Sequence, residues 1–314
     1  MPKLVDRLAR AIYQRYFEWR LPALVAPAYP VILEYPITPQ PRYGYGKPPH
    51  PELHALIEAG RADYAARLRE FTAVEPLARA IAQRQAGGNA AGSDAIEPDF
   101  FNTYFHGLDA IALLGFLRSL RPPLMLEIGS GNSTRFARRA IREYGLPTRI
   151  VSCDPQPRAE IAAVADEIIR APAETLPPET FERLEPGDLL FIDSSHRVFQ
   201  NSDVAMLFLE VLPRLKRGVV VHVHDILLPY DYQPEWADRH YSEQYLLAAW
   251  LLANPRKFTI LLPNAFIGFD AALREATAPL WADPALARAR AHAETRAYGL
   301  LGYSFWLRVN EAQP

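Results

Sequence analysis

The sequence predicts an α/β protein: a doubly wound, mostly parallel sheet of seven strands, preceded by a helical and proline-rich extension. Three observations predict it. From residue 96 onward, apolar segments of strand character alternate with segments of helical spacing. The first strand runs directly into a glycine turn and a helix, Leu124-Met-Leu-Glu-Ile-Gly-Ser-Gly-Asn-Ser-Thr134. Each of the first five strands ends on a polar or acidic residue. That is where an open α/β sheet gathers its functional groups.

Taken in order, Leu4, Leu8, Ile12 and Phe17 recur at helical spacing among basic residues and predict an amphipathic helix over 3–20 that covers the main domain. Prolines are dense over 22–51, with Tyr29, Tyr35, Tyr43 and Tyr45 among them. Proline at that density excludes helix interiors and central strands, so an extended arm is expected. Helical spacing returns over 52–84. The small and polar segment 86–94, with three glycines, has linker composition. The expected division is therefore an extension over 1–95 and a ligand-binding domain over 96–314. Within the latter, strands are expected at 124–128, 149–153, 167–170, 188–192, 218–223, 257–262 and 303–309. Helices are expected at 107–120, 134–144 and 204–215 and from Ser242. The alternating last strand has the pattern of an edge strand.

The chain has 314 residues, 49% hydrophobic and 22% charged, enough for a sizeable core. A net charge of −2 carries no basic footprint, so no nucleic acid is expected as partner. The single cysteine, Cys153, forms no internal disulfide and reads as a buried thiol at a strand end. No signal segment and no run of about 20 apolar residues is visible, so a soluble cytoplasmic protein without a membrane span is expected. Oligomeric state has no signature in the sequence.

Gly129 and Gly131 let the backbone approach a ligand closely. Asp154, at the end of the second strand, is placed to accept hydrogen bonds from both hydroxyls of a ribose; a helix N-cap before Pro155 is the competing reading. A dinucleotide fingerprint requires a third glycine where this chain has Thr134. Glu127, just before the glycines, would oppose a pyrophosphate and suits an ammonium group instead. An acid before the turn and an acid on the ribose together suit a cationic, amino-acid-bearing nucleoside, S-adenosylmethionine.

On these residues, with Asp188-Leu-Leu-Phe-Ile-Asp193 and the seven strands in order, the chain resembles the class I S-adenosylmethionine-dependent methyltransferases over residues 100–310. The resemblance implies their Rossmann-like fold. It implies that the Glu127–Gly131 loop, with Ser130, Asn132 and Ser133, cradles the methionine part of the cofactor. It further implies that Asp154 binds the ribose, that Ala173 and Glu174 border the adenine, and that Asp193 lies near the reacting methyl group. Many members carry a third glycine in the first motif at the position of Ser133. The finer resemblance is to the small-molecule and sugar O-methyltransferases, some of which hold a divalent cation; the matching positions are Asp193, His224 and Asp225. His224 departs from the oxygen-rich set that magnesium prefers.

His222 and His224 lie two apart on a strand and share a face. With Asp193, His196 and Asp225 they leave three readings open: a metal site, a metal-free base or substrate contact, or structural histidines. Methyl transfer to a hydroxyl needs that hydroxyl deprotonated or acidified, by a neutral histidine or by a metal. His224 or His196 is the expected base, with Asp193 and Asp225 orienting it or holding metal. The aromatic, turn-rich segment 226–241 reads as a lid or substrate loop, with Tyr230, Tyr232 and Trp236 suited to stacking. Residues 102–106 are a second candidate pocket wall. The expected acceptor is a small molecule or glycan. A nicotinamide oxidoreductase and a metal-dependent, non-methylating protein on the same fold are the alternatives.

Overall fold

The computed structural model describes residues 8, 11, 37–86, 96–157 and 161–310. The amphipathic helix expected over 3–20, most of the proline-rich arm and most of the glycine linker lie outside the described residues. Seven strands form one sheet: β1 (Leu124–Ile128), β2 (Arg149–Cys153), β3 (Glu167–Ile169), β4 (Leu189–Ile192), β5 (Val220–Val223), β6 (Phe258–Pro263) and β7 (Phe305–Val309). Their order is β3-β2-β1-β4-β5-β7-β6. All pairings are parallel except those of β7, which is antiparallel to both neighbours.

The last strand is thus no edge. It enters between β5 and β6, and Phe305, Trp306, Leu307 and Val309 are buried there. The apolar parts of β1, β4 and β5 are continuous rather than alternating, as strands covered on both faces require.

The helices of eight residues or more among the described residues are α1 (Pro51–Glu58), α2 (Arg61–Phe71), α3 (Glu75–Ala86), α4 (Gly107–Leu120), α5 (Asn132–Tyr144), α6 (Glu243–Ala253) and α7 (Pro284–Arg296). The helix expected over 204–215 is instead a broken series of short turns from Asp203 to Arg214, in which Pro213 supplies no amide for a regular ladder. α4 is the central covering helix: it packs on α5, α2 and α7, and its residues from Gly107 to Leu117 are all buried.

Residues 40–314 form one compact unit. The organisational break expected near residue 95 does not separate α1–α3 from the sheet. Leu53, Ile57, Tyr64, Leu68 and Phe71 belong to the same hydrophobic core as β1 and β4, and α2 contacts both α4 and β6. A linker-like composition marks where the chain has little local structure, not where a core ends. None of the described helices is long and apolar enough to cross a membrane.

Candidate active site

The carboxyl ends of the four central parallel strands are tied to one another, and that of β2 to β3, by backbone hydrogen bonds just beyond the ladder. Gly129 N donates to Cys153 O at 2.9 Å, Asp193 N to Ile128 O at 2.9 Å, His224 N to Ile192 O at 2.9 Å, and Asp154 N to Ile169 O at 3.1 Å. These bonds fix the first residue after each strand in one row, so the side chains there face a common crevice. Gly129 has a φ of +80°, and a Cβ on it would lie 1.9 Å from Asp193 O. Only glycine allows this approach.

On the glycine-turn side, Asp154 Oδ2 accepts from Ser130 N at 2.8 Å and Ser130 Oγ at 3.1 Å, while Oδ1 accepts from Gln156 N at 2.7 Å. Asp154 is only half-buried, and Oδ1 keeps a lone pair for a further donor. Glu127 differs from its expected role. It is fully buried, and its oxygens accept from Ser133 Oγ at 2.6 Å, Thr134 Oγ1 at 2.6 Å and Ser152 Oγ at 3.2 Å. Burial pushes its carboxyl up to about 7, against the pull of those three hydroxyls. Glu127 therefore braces the start of α5 from beneath rather than presenting an oxygen to an ammonium group.

Asn132 is likewise turned away from the crevice, donating to Asp99 O at 2.6 Å and accepting from Asp99 N at 3.1 Å. Gly131 N donates to Thr134 Oγ1 at 3.1 Å, which closes the first turn of the helix. Ala173 is buried and Glu174 half-buried in a short turn after β3. Beside Glu174 opens a cavity of about 640 Å³ that Leu176, Phe181, Met206 and Leu209 also line. Cys153 is buried, with its thiol 3.3 Å from Ala171 O.

Across the crevice, the acids and histidines at the ends of β4 and β5 come together. His196 Nε2 lies 3.3 Å from Asp193 Oδ1 and 3.5 Å from Asp225 Oδ2. His224 Nδ1 lies 3.2 Å from Asp225 Oδ1 and 3.6 Å from Asp193 Oδ1. Two residues that sequence reasoning missed complete the group. Glu243, fully buried at the start of α6, pairs with His196 Nδ1. Asp109, fully buried in α4, lies 3.4 Å from His224 Nε2. The result is an alternating row: Glu243, His196, the Asp193–Asp225 pair, His224, Asp109.

Burial opposes charge on both imidazoles. It is outweighed at His196 by Glu243, Asp225 and Asp193, and at His224 by Asp225, Asp193 and Asp109, so both are held well above the usual histidine range. Asp193 is held well below the usual carboxylate range: burial pushes it up, but the two imidazoles outweigh that. Asp109 also accepts from Asn264 Nδ2 at 2.8 Å and from Ser304 N at 2.7 Å. Gly302 permits this, because a Cβ there would meet Asp109 Oδ1 at 2.4 Å.

His222 shares a strand face with His224 but not its role. It stacks on Phe191 at 3.8 Å, bonds Ser304 Oγ at 2.8 Å, and burial holds it well below the usual range. It is a neutral core residue. Segment 102–106 does wall the group, through Phe105, whose ring lies 5.5 Å from that of His224. Segment 226–241 is not a row of open stacking platforms. Tyr232 and Trp236 are buried with Leu300 and Tyr303 in a small second core, and Tyr230 packs at 4.1 Å on Phe269. Asp231 there accepts from Tyr43 N at 3.0 Å, so the described end of the arm lies over this segment.

In the free protein the carboxylates hold both imidazoles toward their charged form, so a divalent metal would have to displace those protons to gain a nitrogen ligand. No group of three or more His, Cys, Asp or Glu among the described residues is arranged to hold a metal ion. The glycine turn and Asp154 do fit S-adenosylmethionine: one offers a close backbone approach and the other an unfilled acceptor.

Residues 126–226 match a family described as a methyltransferase domain. No curated protein matches the chain. Among solved structures, the chain is similar to a magnesium- and S-adenosylmethionine-bound CmcI, at 19% identity with a TM-score of 0.32, covering 48% of this chain and 62% of that one. The chain thus spans about three fifths of that protein's length. It is also similar to a Podospora anserina methyltransferase bound to S-adenosylhomocysteine, at 16% identity and a TM-score of 0.37, covering 65% and 79%. A third is the plantazolicin methyltransferase BamL in complex with a triazolic desmethylplantazolicin analog and S-adenosylhomocysteine, at 15% identity and a TM-score of 0.40, covering 82% and 100%. The family match falls on β1 through β5, so this stretch is similar to a methyltransferase domain, and the strand order is that of a Rossmann-like sheet closed by an antiparallel strand.

Proposed function

We propose that the protein transfers a methyl group from S-adenosylmethionine to a hydroxyl of a small molecule or glycan, with a metal-free histidine–carboxylate group acting on the acceptor. One observation carries this reading. The Gly129 turn lies directly against the Asp193 backbone, so a nucleoside cradled by the turn has the histidine–carboxylate group as its immediate neighbour. S-adenosylmethionine when bound supplies an electrophilic methyl on a positively charged sulfur, and the protein's task is then alignment and proton removal.

His196 is the proposed base. Glu243 fixes the ring through Nδ1 and leaves Nε2 toward Asp193 and Asp225, the carboxylate–imidazole arrangement by which a histidine is held in one tautomer. In the free protein this imidazole holds its proton. Beside a second positive charge it loses part of that preference, because a like charge disfavours the ionised form. Once the Nε2 proton has passed to solvent, Nε2 takes the acceptor's hydroxyl proton, and Asp193 and Asp225 stabilise the imidazolium that forms again. His224, with Asp109 at 3.4 Å from its Nε2, flanks the two aspartates from the other side.

The test is ligand-induced thermal stabilisation with S-adenosylhomocysteine and with NAD in parallel. Stabilisation by the former alone is expected, and the Asp154→Ala variant should lose it. Stabilisation by NAD alone would make the protein an oxidoreductase. His196→Gln should retain S-adenosylhomocysteine affinity and lose transfer.

A further inference from the structure

We propose that the acceptor carries an anionic group, a carboxylate or a phosphate, and that Arg197 and Arg239 receive it beside the histidine–carboxylate group. This rests on the methyltransferase reading for what the bound molecule is, but not for the existence of the subsite.

Tyr241 packs at 4.6 Å on the ring of His196. Both guanidinium groups lie over that tyrosine ring, Arg197 at 5.2 Å and Arg239 at 5.6 Å from its centroid, and Arg239 also lies 4.6 Å from the centroid of Trp236. One aromatic ring is therefore in contact with the proposed base and with both cations.

The loops that hold them are locked together. His196 O accepts from Ser242 N at 2.8 Å, Val198 N donates to Ser242 Oγ at 2.9 Å, and Arg197 Nε donates to Arg239 O at 2.8 Å. Arg197 uses one further N–H on Ser195 O at 3.2 Å, which leaves three of its five donors. Among the described residues neither guanidinium has an ion-pair partner, although four carboxylates stand around His196 and His224. Those carboxylates are engaged by His196 and His224.

Two cations held on one aromatic ring beside the base, with no carboxylate paired to either, are a receptor for an oxyanion. Arginine's planar fork suits carboxylate and phosphate alike. An anion bound here would orient the rest of the acceptor past Tyr241 toward His196. The paired charges would reject neutral analogues by leaving themselves unpaired, which is the stronger form of discrimination.

The experiment uses the full chain saturated with S-adenosylhomocysteine and titrates benzoate, phenyl phosphate and neutral benzamide, followed by ligand-observed NMR. Benzoate or phenyl phosphate should bind at least roughly tenfold more tightly than benzamide, and the double variant Arg197→Gln/Arg239→Gln should lose that preference. The better of the two anions identifies the source of the charge. Retained affinity for S-adenosylhomocysteine in the variant shows that it is folded. Equal binding of anion and benzamide, no anion binding to the wild type, or an anion preference that survives in the variant each overturns the proposal. Failure of the methyltransferase reading looks different: S-adenosylhomocysteine itself does not bind, while the anion preference, titrated without it, persists.

Discussion

Gly129 and Asp193 are in backbone contact at the centre of the crevice, so tight that a methyl group on the first would overlap the carbonyl oxygen of the second at 1.9 Å. The glycine turn and the histidine–carboxylate group, the two halves of the proposed site, meet at this point. Gly129→Ala must therefore push β1 and β4 apart at their carboxyl ends and also force an L-residue to a φ of +80°. A loss of at least about 2 kcal/mol in urea denaturation is expected, together with loss of S-adenosylhomocysteine binding by calorimetry. A variant that folds and binds like the wild type would separate the two halves.

Asp109 holds three things at once: the His224 imidazole, the Asn264 amide and the backbone amides of Tyr303 and Ser304. Asp109→Ala leaves these buried donors without an acceptor. The expected cost is about 3–5 kcal/mol in chemical denaturation, as for a broken buried ion pair. Asp109→Asn keeps an acceptor oxygen for the backbone amides and should recover part of that cost.

Glu127 carries a pH signature. Its carboxyl is raised from an ordinary 4.5 to about 7 by burial. Between those values the unfolded chain releases a proton that the folded chain retains, so stability falls as pH rises from about 4.5 to 7 and is level beyond. The size of that fall is roughly 3 kcal/mol. Glu127→Gln, neutral throughout, should show none of it. Urea midpoints for both proteins at a series of pH values in that window give the comparison, and parallel curves would mean that Glu127 ionises normally.

Glu243 is a positioning residue. Glu243→Gln removes the leading charge that holds the His196 imidazole in its protonated form against burial. Nitrogen-detected NMR should then show His196 titrating at lower pH. Methyl transfer should fall by roughly 10–100-fold as the ring loses its fixed orientation, with S-adenosylhomocysteine affinity unchanged. An unmoved His196 titration would assign its charge to Asp193 and Asp225 alone.

The strands could be read from the sequence because each is a short apolar run ending on a polar residue, and β1, β2 and α4 fall where that pattern puts them. The position of β7 could not. Its alternation over 303–309 resembles an edge, and chain order says nothing of an antiparallel strand inserted between β5 and β6. The same limit applied to the site. That Asp193, His196, His224 and Asp225 would gather could be read because they stand at or just past strand ends. Asp109 and Glu243 were not, because an acid in the first turn of a helix is ordinarily explained by the helix dipole. The signal available was their setting: an acid between Leu108 and Ala110 in an otherwise apolar first turn has to find a buried partner. Glu127 has the spacing of a ligand yet faces inward, since spacing alone does not tell a residue facing the crevice from one facing the helix beneath it.

The insertion of β7 also sets an order of events during synthesis. β6 pairs with no strand but β7, and Asp109 reaches its backbone partners only through Tyr303 and Ser304. A ribosome that has delivered β1 through β5, with the glycine turn and both aspartates, has therefore delivered an unfinished protein. Until residues 303–309 emerge, one flank of the sheet stays open and Asp109 has no backbone amides to hold. The glycine turn draws on strands made early, while the Asp109 end of the histidine–carboxylate row waits for the last one.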